Sequence, residues 1–329
     1  MSTLAPTLQA FFTHRLAQQR QASPHTVAAY RDTFRRLFAF IHQRTGKAPS
    51  QLEIEDLDAP LIGAFLQHLE HGRGNSVRTR NARLAAVHSF FRFAAFAHPE
   101  HAALIQRVLS IPQKRFDRAL ICFLTAPEIT ALLAAPDHMT WIGRRDRTLL
   151  LVALQTGLRV SELTGLACQD VHLGSGAHVR CRGKGRKDRC TPLTAQTVTV
   201  LRVWMRERQG EPGDPVFPTV RGAALSRDAV EHLLCKYAEI AKRSCSSLSD
   251  KHVTAHVLRH TCAMHLLQAG VDTSVIALWL GHESVETTQI YLHADLSLKE
   301  RALARTTPNK LAPGRFHPSD AVLTFLESL

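Results

Sequence analysis

Apolar residues recur at helical spacing through the first hundred residues of the chain. A first helix is predicted within residues 5–21, where the apolar positions are Leu8, Phe11, Phe12 and Leu16. Ser23 followed by Pro24 is typical of an N-cap and first-turn proline and starts a second helix, and Asp58 and Ser76 start a third and a fourth. Residues 1–110 are therefore predicted to form an all-α bundle of four helices.

The helical pattern resumes after a basic segment at residues 111–122, which we interpret as a linker between two domains. Thr125 and Glu128 then have the spacing of a capping box at the start of a helix. Further helices are predicted near residues 144–155, 194–209 and 226–243. Residues 123–329 are thus expected to form a second, mainly α domain.

One segment of this second domain has the pattern of strands. Residues 177–192 alternate in polarity and are interrupted by Gly183, Lys184 and Gly185, which predicts a β-hairpin with Lys184 at its tip. The predicted fold class is therefore a mainly α domain with a small β-hairpin or sheet (α+β), preceded by the all-α N-terminal bundle.

The composition favours a polyanionic partner. The chain has 329 residues, a length that argues for two domains, with a formal net charge of +13 and a pI near 9.9. We expect nucleic acid rather than a membrane, because no apolar run is long enough to span a bilayer. Seven cysteines without a CxxC pair indicate reduced thiols in a cytoplasmic protein, and the first residues show no secretory signal.

Positive charge is concentrated in two places. Residues 1–115 contain 15 Lys and Arg against 7 Asp and Glu, a net charge of +8. Three arginines near the start of the fourth helix are candidates for phosphate contacts: Arg78, Arg80 and Arg83. Three basic residues of the hairpin are candidates for the same role: Lys184, Arg186 and Lys187. The alternatives are a solvated basic helix face and a solvated turn.

Residues 256–291 concentrate the side chains that carry chemistry. His256 and Arg259 are three residues apart and share a helix face. Gly270 and Asp272 then break and restart the helix, which is predicted to stop near Gly281. Beyond that stop, His282 and a third helix capped by Ser284 bring in Tyr291. Three short helices joined by tight turns can direct these side chains into one pocket.

A phenol beside an arginine suits attack on a phosphodiester better than metal binding or acyl transfer. Tyrosine has a pKa of about 10, so it needs a proton acceptor and nearby positive charge before it becomes a useful nucleophile. Arginine supplies both fixed charge and a fork that matches two phosphate oxygens. A second arginine, Arg159, is predicted in a tight turn between two helices, with Glu162 at the start of the second.

Each of these residues has a purely structural alternative. A lone tyrosine such as Tyr291 is more often a packed aromatic, and a lone histidine is more often structural. The spacing of His256, His260 and His265 could suggest zinc, but the chain has no HExxH arrangement and no cysteine pair with ligand spacing. We therefore expect no metal.

The ordered motifs TGLRVSEL, RGKGRKDR, HVLRH and LGH, followed by a tyrosine nine residues after the last histidine, resemble the tyrosine recombinases, or phage integrase family. The catalytic positions that match are Arg159, Lys184, His256, Arg259, His282 and Tyr291. The resemblance covers the second domain closely, whereas the first is similar to the family's SAM-like core-binding domain only in its layout. Five motifs in order are far more specific than any one of them.

The resemblance implies a cycle of DNA cleavage and rejoining. Tyr291 would attack the scissile phosphate and leave a 3′-phosphotyrosyl bond with a free 5′-hydroxyl. Arg159 and Arg259 would clamp the non-bridging oxygens, and Lys184 would protonate the leaving 5′-oxygen.

The remaining roles also follow from the resemblance. His256 would assist proton transfer from the tyrosine, His282 would hydrogen-bond the phosphate, and Glu162 would support the first arginine. No cofactor is expected, because the phosphotyrosyl bond conserves the energy of the broken phosphodiester.

The family resemblance implies a partner set as well. The expected partners are double-stranded DNA and three further copies of the chain in a synaptic homo-tetramer, with a monomer or dimer off DNA. An amphipathic tail that could link neighbouring copies carries Val322, Phe325, Leu326 and Leu329 on one face. The first helix begins almost at the N-terminus, which favours a simple Xer-like or mobile-element enzyme. Two alternatives stay open: a type IB-like topoisomerase and a catalytically silent DNA-binding protein.

Overall fold

The computed structural model describes residues 4–116, 121–183, 188–282 and 286–294. The chain divides into two compact units, residues 1–118 and 119–329. The C-terminal tail, the hairpin tip with Lys184, Arg186 and Lys187, and the predicted Ser284 cap lie outside the described residues.

The first unit is all α. Its helices are α1 (Leu4–Ala10, continued by a π-helical segment Phe11–Gln19), α2 (Pro24–Thr45), α3 (Ala59–Gln67, extended by a π turn His68–Gly72), α4 (Val77–Ala97) and α5 (Ala102–Leu109). The predicted caps are confirmed, since the side chains of Ser23, Asp58 and Ser76 each accept a hydrogen bond from the backbone of the first turn.

A fifth helix, α5, was not predicted. It is only eight residues long, which is too short for a clear period, yet Ile105 and Val108 are buried against the bundle. Aromatic rings dominate the same core: the centroids of Phe11 and Phe90 are 5.5 Å apart, and those of Phe34 and Phe90 are 5.3 Å apart. Edge-to-face packing of this kind stabilises a core beyond the area that it buries.

The second unit is mainly α with one small sheet. Its helices are α6 (Ala126–Ala134), α7 (Trp141–Thr156), α8 (Val160–Thr164), α9 (Ala195–Arg208), α10 (Arg227–Lys242), α11 (Ala255–Gln268), α12 (Thr273–Leu280) and α13 (Glu286–Ala294). Within the described part of the chain, no helix has both the length and the apolar character needed to cross a membrane.

The predicted hairpin is confirmed and belongs to a three-stranded antiparallel sheet. Its strands, in spatial order, are β1 (Val171–His172), β2 (His178–Arg182) and β3 (Asp188–Pro192). Val179 pairs with Thr191 in the register of β2 and β3. The two-residue strand β1 was not predicted, because so short a strand shows no alternation.

A buried polar network crosses the core of the second unit. Arg145 on α7 donates to Asp146 and to the carbonyl oxygen of Pro218, each at 2.8 Å, and the Tyr237 hydroxyl donates to the other Asp146 oxygen at 2.8 Å. Every polar group in this network thus has a partner, as burial requires.

Candidate active site

Arg159 is held in the tight turn that the sequence predicts. Gly157 ends α7 with φ +62°, a left-handed conformation that glycine adopts without steric cost. Arg159 is the N-cap of α8: its backbone N–H donates to Glu162 Oε2 and its Nη1 donates to Glu162 Oε1, both at 2.8 Å. One carboxylate therefore orients both the backbone and the side chain of this arginine.

Arg259 joins the ends of two helices. From α11 it donates through Nη1 to the carbonyl oxygen of Gly157 and through Nη2 to that of Leu280, each at 2.7 Å. The last carbonyls of a helix have no partner within it and carry partial negative charge, so a buried cation is well placed there. Burial and the nearby Arg159 lower the pKa of Arg259 to about 10, which leaves it charged at neutral pH.

Three arginines converge on the C-terminal end of α12. Arg189 Nε donates to the Trp279 carbonyl at 3.1 Å, Arg259 to that of Leu280, and Arg159 Nη2 to that of Gly281 at 2.8 Å. Three consecutive carbonyls are thus each held by a guanidinium. The end of α12 is the point where the predicted arginine pair and the following histidine meet.

Glu162 compensates this positive charge. Its two oxygens accept from Arg189 Nη1 and Nη2 at 2.9 and 2.8 Å, in addition to the bonds from Arg159. Burial opposes ionisation of the carboxyl, but the bonds from Arg189 and from the Arg159 backbone outweigh it, so the net pKa of Glu162 is lowered. Glu162 is therefore an anion at neutral pH, bonded to both Arg159 and Arg189.

His282 follows the end of α12 directly. Gly281 has φ +65°, which turns the chain out of the helix. His282 Nδ1 then lies 2.7 Å from the hydroxyl oxygen of Thr288 on α13, which links the two helices. Burial and the neighbouring Arg259 and Arg159 lower the pKa of His282 to about 4. The imidazole is consequently neutral at pH 7.

Tyr291 lies buried on α13, with 1% of its surface exposed. Its hydroxyl is 3.0 Å from Nδ1 of His260, and its ring is parallel to that of His282 with centroids 6.4 Å apart. Burial raises the pKa of Tyr291 to about 12 and, with His256 and Arg259 nearby, lowers that of His260 to about 4. The phenol keeps its proton, and a neutral Nδ1 can accept it in a hydrogen bond.

The structure brings five of the predicted residues together: Arg159, Glu162, Arg259, His282 and Tyr291. His256 is exposed and lies one turn before His260, with the two rings stacked at 6.3 Å. Hence the imidazole in contact with the tyrosine hydroxyl is His260.

Two residues of the site were missed by the sequence analysis in these roles. His260 was considered only as a zinc ligand, although its position one helical turn after His256 places it on the same face. Arg189 could not be distinguished from the other basic residues of the hairpin, because only burial sets it apart.

No three potential metal-ligating side chains cluster in the described ranges.

The predicted phosphate contacts of the first unit occupy different environments. Arg78 is exposed near the start of α4. Arg80 is buried, and its Nη1 donates to Asn81 and to the carbonyl oxygen of Pro112, each at 3.0 Å. Arg83 is half-buried and donates across to α2. Of the three, Arg78 is the one whose side chain is open to a ligand.

Models of two protein-domain families match this chain. The model described as the phage integrase family matches residues 122–297, and the one described as the phage integrase N-terminal SAM-like domain matches residues 9–98. Together they span parts of both units.

Similar proteins include an integrase/recombinase of Sinorhizobium fredii, y4rC, which is 59% identical over 100% of this chain and 99% of its own length. The tyrosine recombinase XerC of Pelobacter propionicus is 33% identical over 95% of this chain and 99% of its own. The tyrosine recombinase XerD of Pseudomonas aeruginosa is 32% identical over 89% of this chain and 94% of its own length.

Solved structures share the fold. A XerH site-specific recombinase in a post-cleavage complex with palindromic difH substrate has a TM-score of 0.69 and 24% identity, over 87% of this chain and 81% of that one. The Tn1549 transposon integrase in complex with transposon right end DNA has a TM-score of 0.67 and 17% identity, over 91% of this chain and 98% of that one.

Proposed function

The chain belongs to the phage integrase family and is a site-specific tyrosine recombinase, and we propose that Tyr291 is its nucleophile. The observation that carries the assignment is the convergence of Tyr291 with Arg159, Arg259 and His282 at the end of α12. A phenol, two guanidiniums and a neutral imidazole suit attack on a phosphodiester.

The proposed reaction conserves the bond energy of the DNA strand. The Tyr291 oxygen attacks phosphorus, a 3′-phosphotyrosyl bond forms, and the bond from phosphorus to the 5′-oxygen breaks. Lys184, which lies outside the described residues, gives a proton to that leaving oxygen. Rejoining reverses these steps, so neither ATP nor a cofactor is required.

The two arginines have different parts in this proposal. Arg159 has 28% of its side chain exposed, so it can meet a phosphate directly. Arg259 is 5% exposed, and one hydrogen on each Nη is already used by a carbonyl. Its main contribution is a fixed positive charge next to the phosphate. The attraction between the two is stronger where water is excluded. His282 donates to the same phosphate from the end of α12.

The tyrosine proton leaves through His260 in this scheme. His260 already contacts the hydroxyl, and His256, exposed beside it, connects the pair to solvent. Because Tyr291 is buried in the structure, attack also requires a displacement of α13 that exposes the hydroxyl. A bound phosphate would offset the charge of Arg259, which adds to the effect of burial in lowering the pKa of His260 and of His282.

The partner proposal is double-stranded DNA bound by four copies of the chain at two sites. The phosphate backbone of the DNA would be contacted by the exposed Arg78 and by Arg186 and Lys187, which lie outside the described residues. Arg80 is assigned a structural role because it is buried. The amphipathic C-terminal tail is the candidate link between neighbouring copies.

Covalent trapping tests the nucleophile. Wild type, Tyr291→Phe and Tyr237→Phe are incubated with a pool of nicked duplexes from the DNA around the gene, and protein-linked DNA is sequenced after denaturation. Tyr237 is the matched control, since it is also a buried tyrosine of the second unit with a hydrogen-bonded hydroxyl. We expect an adduct from wild type and Tyr237→Phe and none from Tyr291→Phe. An adduct that persists in Tyr291→Phe would show that another residue attacks.

A further inference from the structure

Within the described chain, the side-chain hydrogen bonds of Arg189 all lead to parts of the site. It lies on β3 with 11% of its side chain exposed. Nη1 and Nη2 donate to the two oxygens of Glu162, and Nε donates to the carbonyl oxygen of Trp279. These bonds lead to α8, whose N-cap is Arg159, and to the end of α12, which precedes His282.

The bidentate bond to Glu162 has a consequence for Arg159. A carboxylate held on both oxygens by a guanidinium cannot rotate freely, because the fork and the carboxylate are both planar. Glu162 uses the same two oxygens to hold the backbone and the side chain of Arg159. The direction of Arg159 is therefore set through Glu162 by Arg189.

A second route runs through the end of α12. A Cβ at Gly281 would lie 2.7 Å from Nη1 of Arg189 and 3.2 Å from its Cδ. The absence of a side chain at this position thus allows the guanidinium to approach the turn that places His282. Gly270, at the preceding helix end, has a similar φ of +84°, but a Cβ there would meet nothing within 4 Å.

We propose that Arg189 is a positioning residue for strand cleavage, which aims Arg159 through Glu162 and locates His282 through the end of α12. The role rests on the proposed function of the site. It differs from the arginine clamp itself, because Arg189 acts through its neighbours and does not have to touch the phosphate.

Arg145 provides a matched control for Arg189. It is a buried arginine of the same unit, with 8% of its side chain exposed, and it pairs with Asp146 and with the carbonyl oxygen of Pro218. Replacement of either arginine by lysine keeps the charge but loses the fork. The two variants should therefore have comparable losses of thermal stability.

The test measures the rate of covalent adduct formation on a saturating nicked duplex in a single turnover, together with thermal unfolding. We expect Arg189→Lys to form the adduct at least about tenfold more slowly than Arg145→Lys, because charge-assisted hydrogen bonds are lost that align the reacting groups. If Arg189→Lys reacts at the rate of Arg145→Lys, the positioning role is overturned. A wild type that forms no adduct contradicts the proposed function instead.

A double-mutant cycle asks whether Arg189 acts through Arg159. Combining Arg189→Lys with Arg159→Lys should slow adduct formation by less than the product of the two single effects, since residues that act partly through each other are not additive. Multiplicative effects would mean that the two arginines act independently and would overturn the proposal.

A glycine pair keeps the proposal testable if Arg189→Lys does not fold. Gly281→Ala and Gly270→Ala impose similar backbone strain, but only the first displaces Arg189. We expect slower adduct formation in Gly281→Ala than in Gly270→Ala. Equal rates would argue against the role of Arg189 at the end of α12.

Discussion

Nδ1 of His260 lies 3.0 Å from the hydroxyl oxygen of Tyr291, and the two rings meet edge to face with centroids 5.6 Å apart. The bond ties α11, which carries Arg259, to α13, which carries the tyrosine. The bond also gives the Tyr291 hydroxyl a hydrogen-bond partner, although the residue is only 1% exposed. The tyrosine is thus held by a histidine next to the buried arginine in sequence, rather than by the more exposed His256.

Loss of this bond should destabilise the second unit. His260→Ala leaves the buried hydroxyl without its acceptor, which costs about 1–3 kcal/mol. His260→Asn places an amide oxygen near the position of Nδ1 and should recover part of that loss. Thermal unfolding compares both with His265→Ala, a control at an exposed position of the same helix that does not contact Tyr291 through a hydrogen bond. Equal losses in the two His260 variants would mean that ring packing, not the hydrogen bond, is responsible.

Acid should weaken the fold through the two buried imidazoles. The pKa values of His260 and His282 are about 4 in the folded protein, against 6.5 for the ordinary side chain. Between these values the unfolded chain binds protons that the folded chain does not. The free energy of unfolding therefore falls as the pH decreases from 6.5 towards 4, and the contribution of these two histidines does not change with pH above 6.5.

The melting temperature at pH 7.5 and pH 5 measures this effect. His282→Asn cannot take up the proton in either state, so its melting temperature should fall less between the two pH values than that of wild type. A variant with the same fall as wild type would show that His282 does not contribute to the acid sensitivity.

The two arginines of the clamp should separate stability from activity. Lysine at position 259 can reach only one of the two carbonyls that Arg259 now holds, and the buried one left unpaired costs about 1–3 kcal/mol. Arg159 is more exposed, so Arg159→Lys should unfold at nearly the urea concentration of wild type while forming the adduct more slowly. Equal urea midpoints for the two variants would contradict a structural part for Arg259.

Lys184 should act on the leaving group. Lys184→Ala is expected to cleave a normal 5′-oxygen substrate slowly and to recover on a 5′-thiolate substrate, because a thiolate leaves without protonation. Tyr291→Phe serves as the control that no leaving group can rescue. A variant that stays equally slow on both substrates would remove Lys184 from the role of general acid.

Local sequence chemistry was sufficient for most of the elements. Ser23, Asp58 and Ser76 cap the helices that they were predicted to start, and Gly157 and Gly281 end helices in the left-handed conformation. Such signals depend on a few neighbouring residues and are therefore visible in sequence. Short elements were missed for the same reason, since α5 and β1 contain too few residues to show a period.

The chain's own residues also determined which chemistry is available: a phenol, two arginines and histidines in a fixed order. Burial and long-range pairing decided the rest. In the sequence, Arg80 and Arg189 cannot be told apart from other basic residues. In the tertiary structure Arg80 donates to the carbonyl oxygen of Pro112 and Arg189 to the carboxylate of Glu162. His260 became the partner of Tyr291 because α11 and α13, separated by α12 in the chain, pack together. Interactions between residues 31 positions apart depend on how helices pack, and no local pattern encodes that distance.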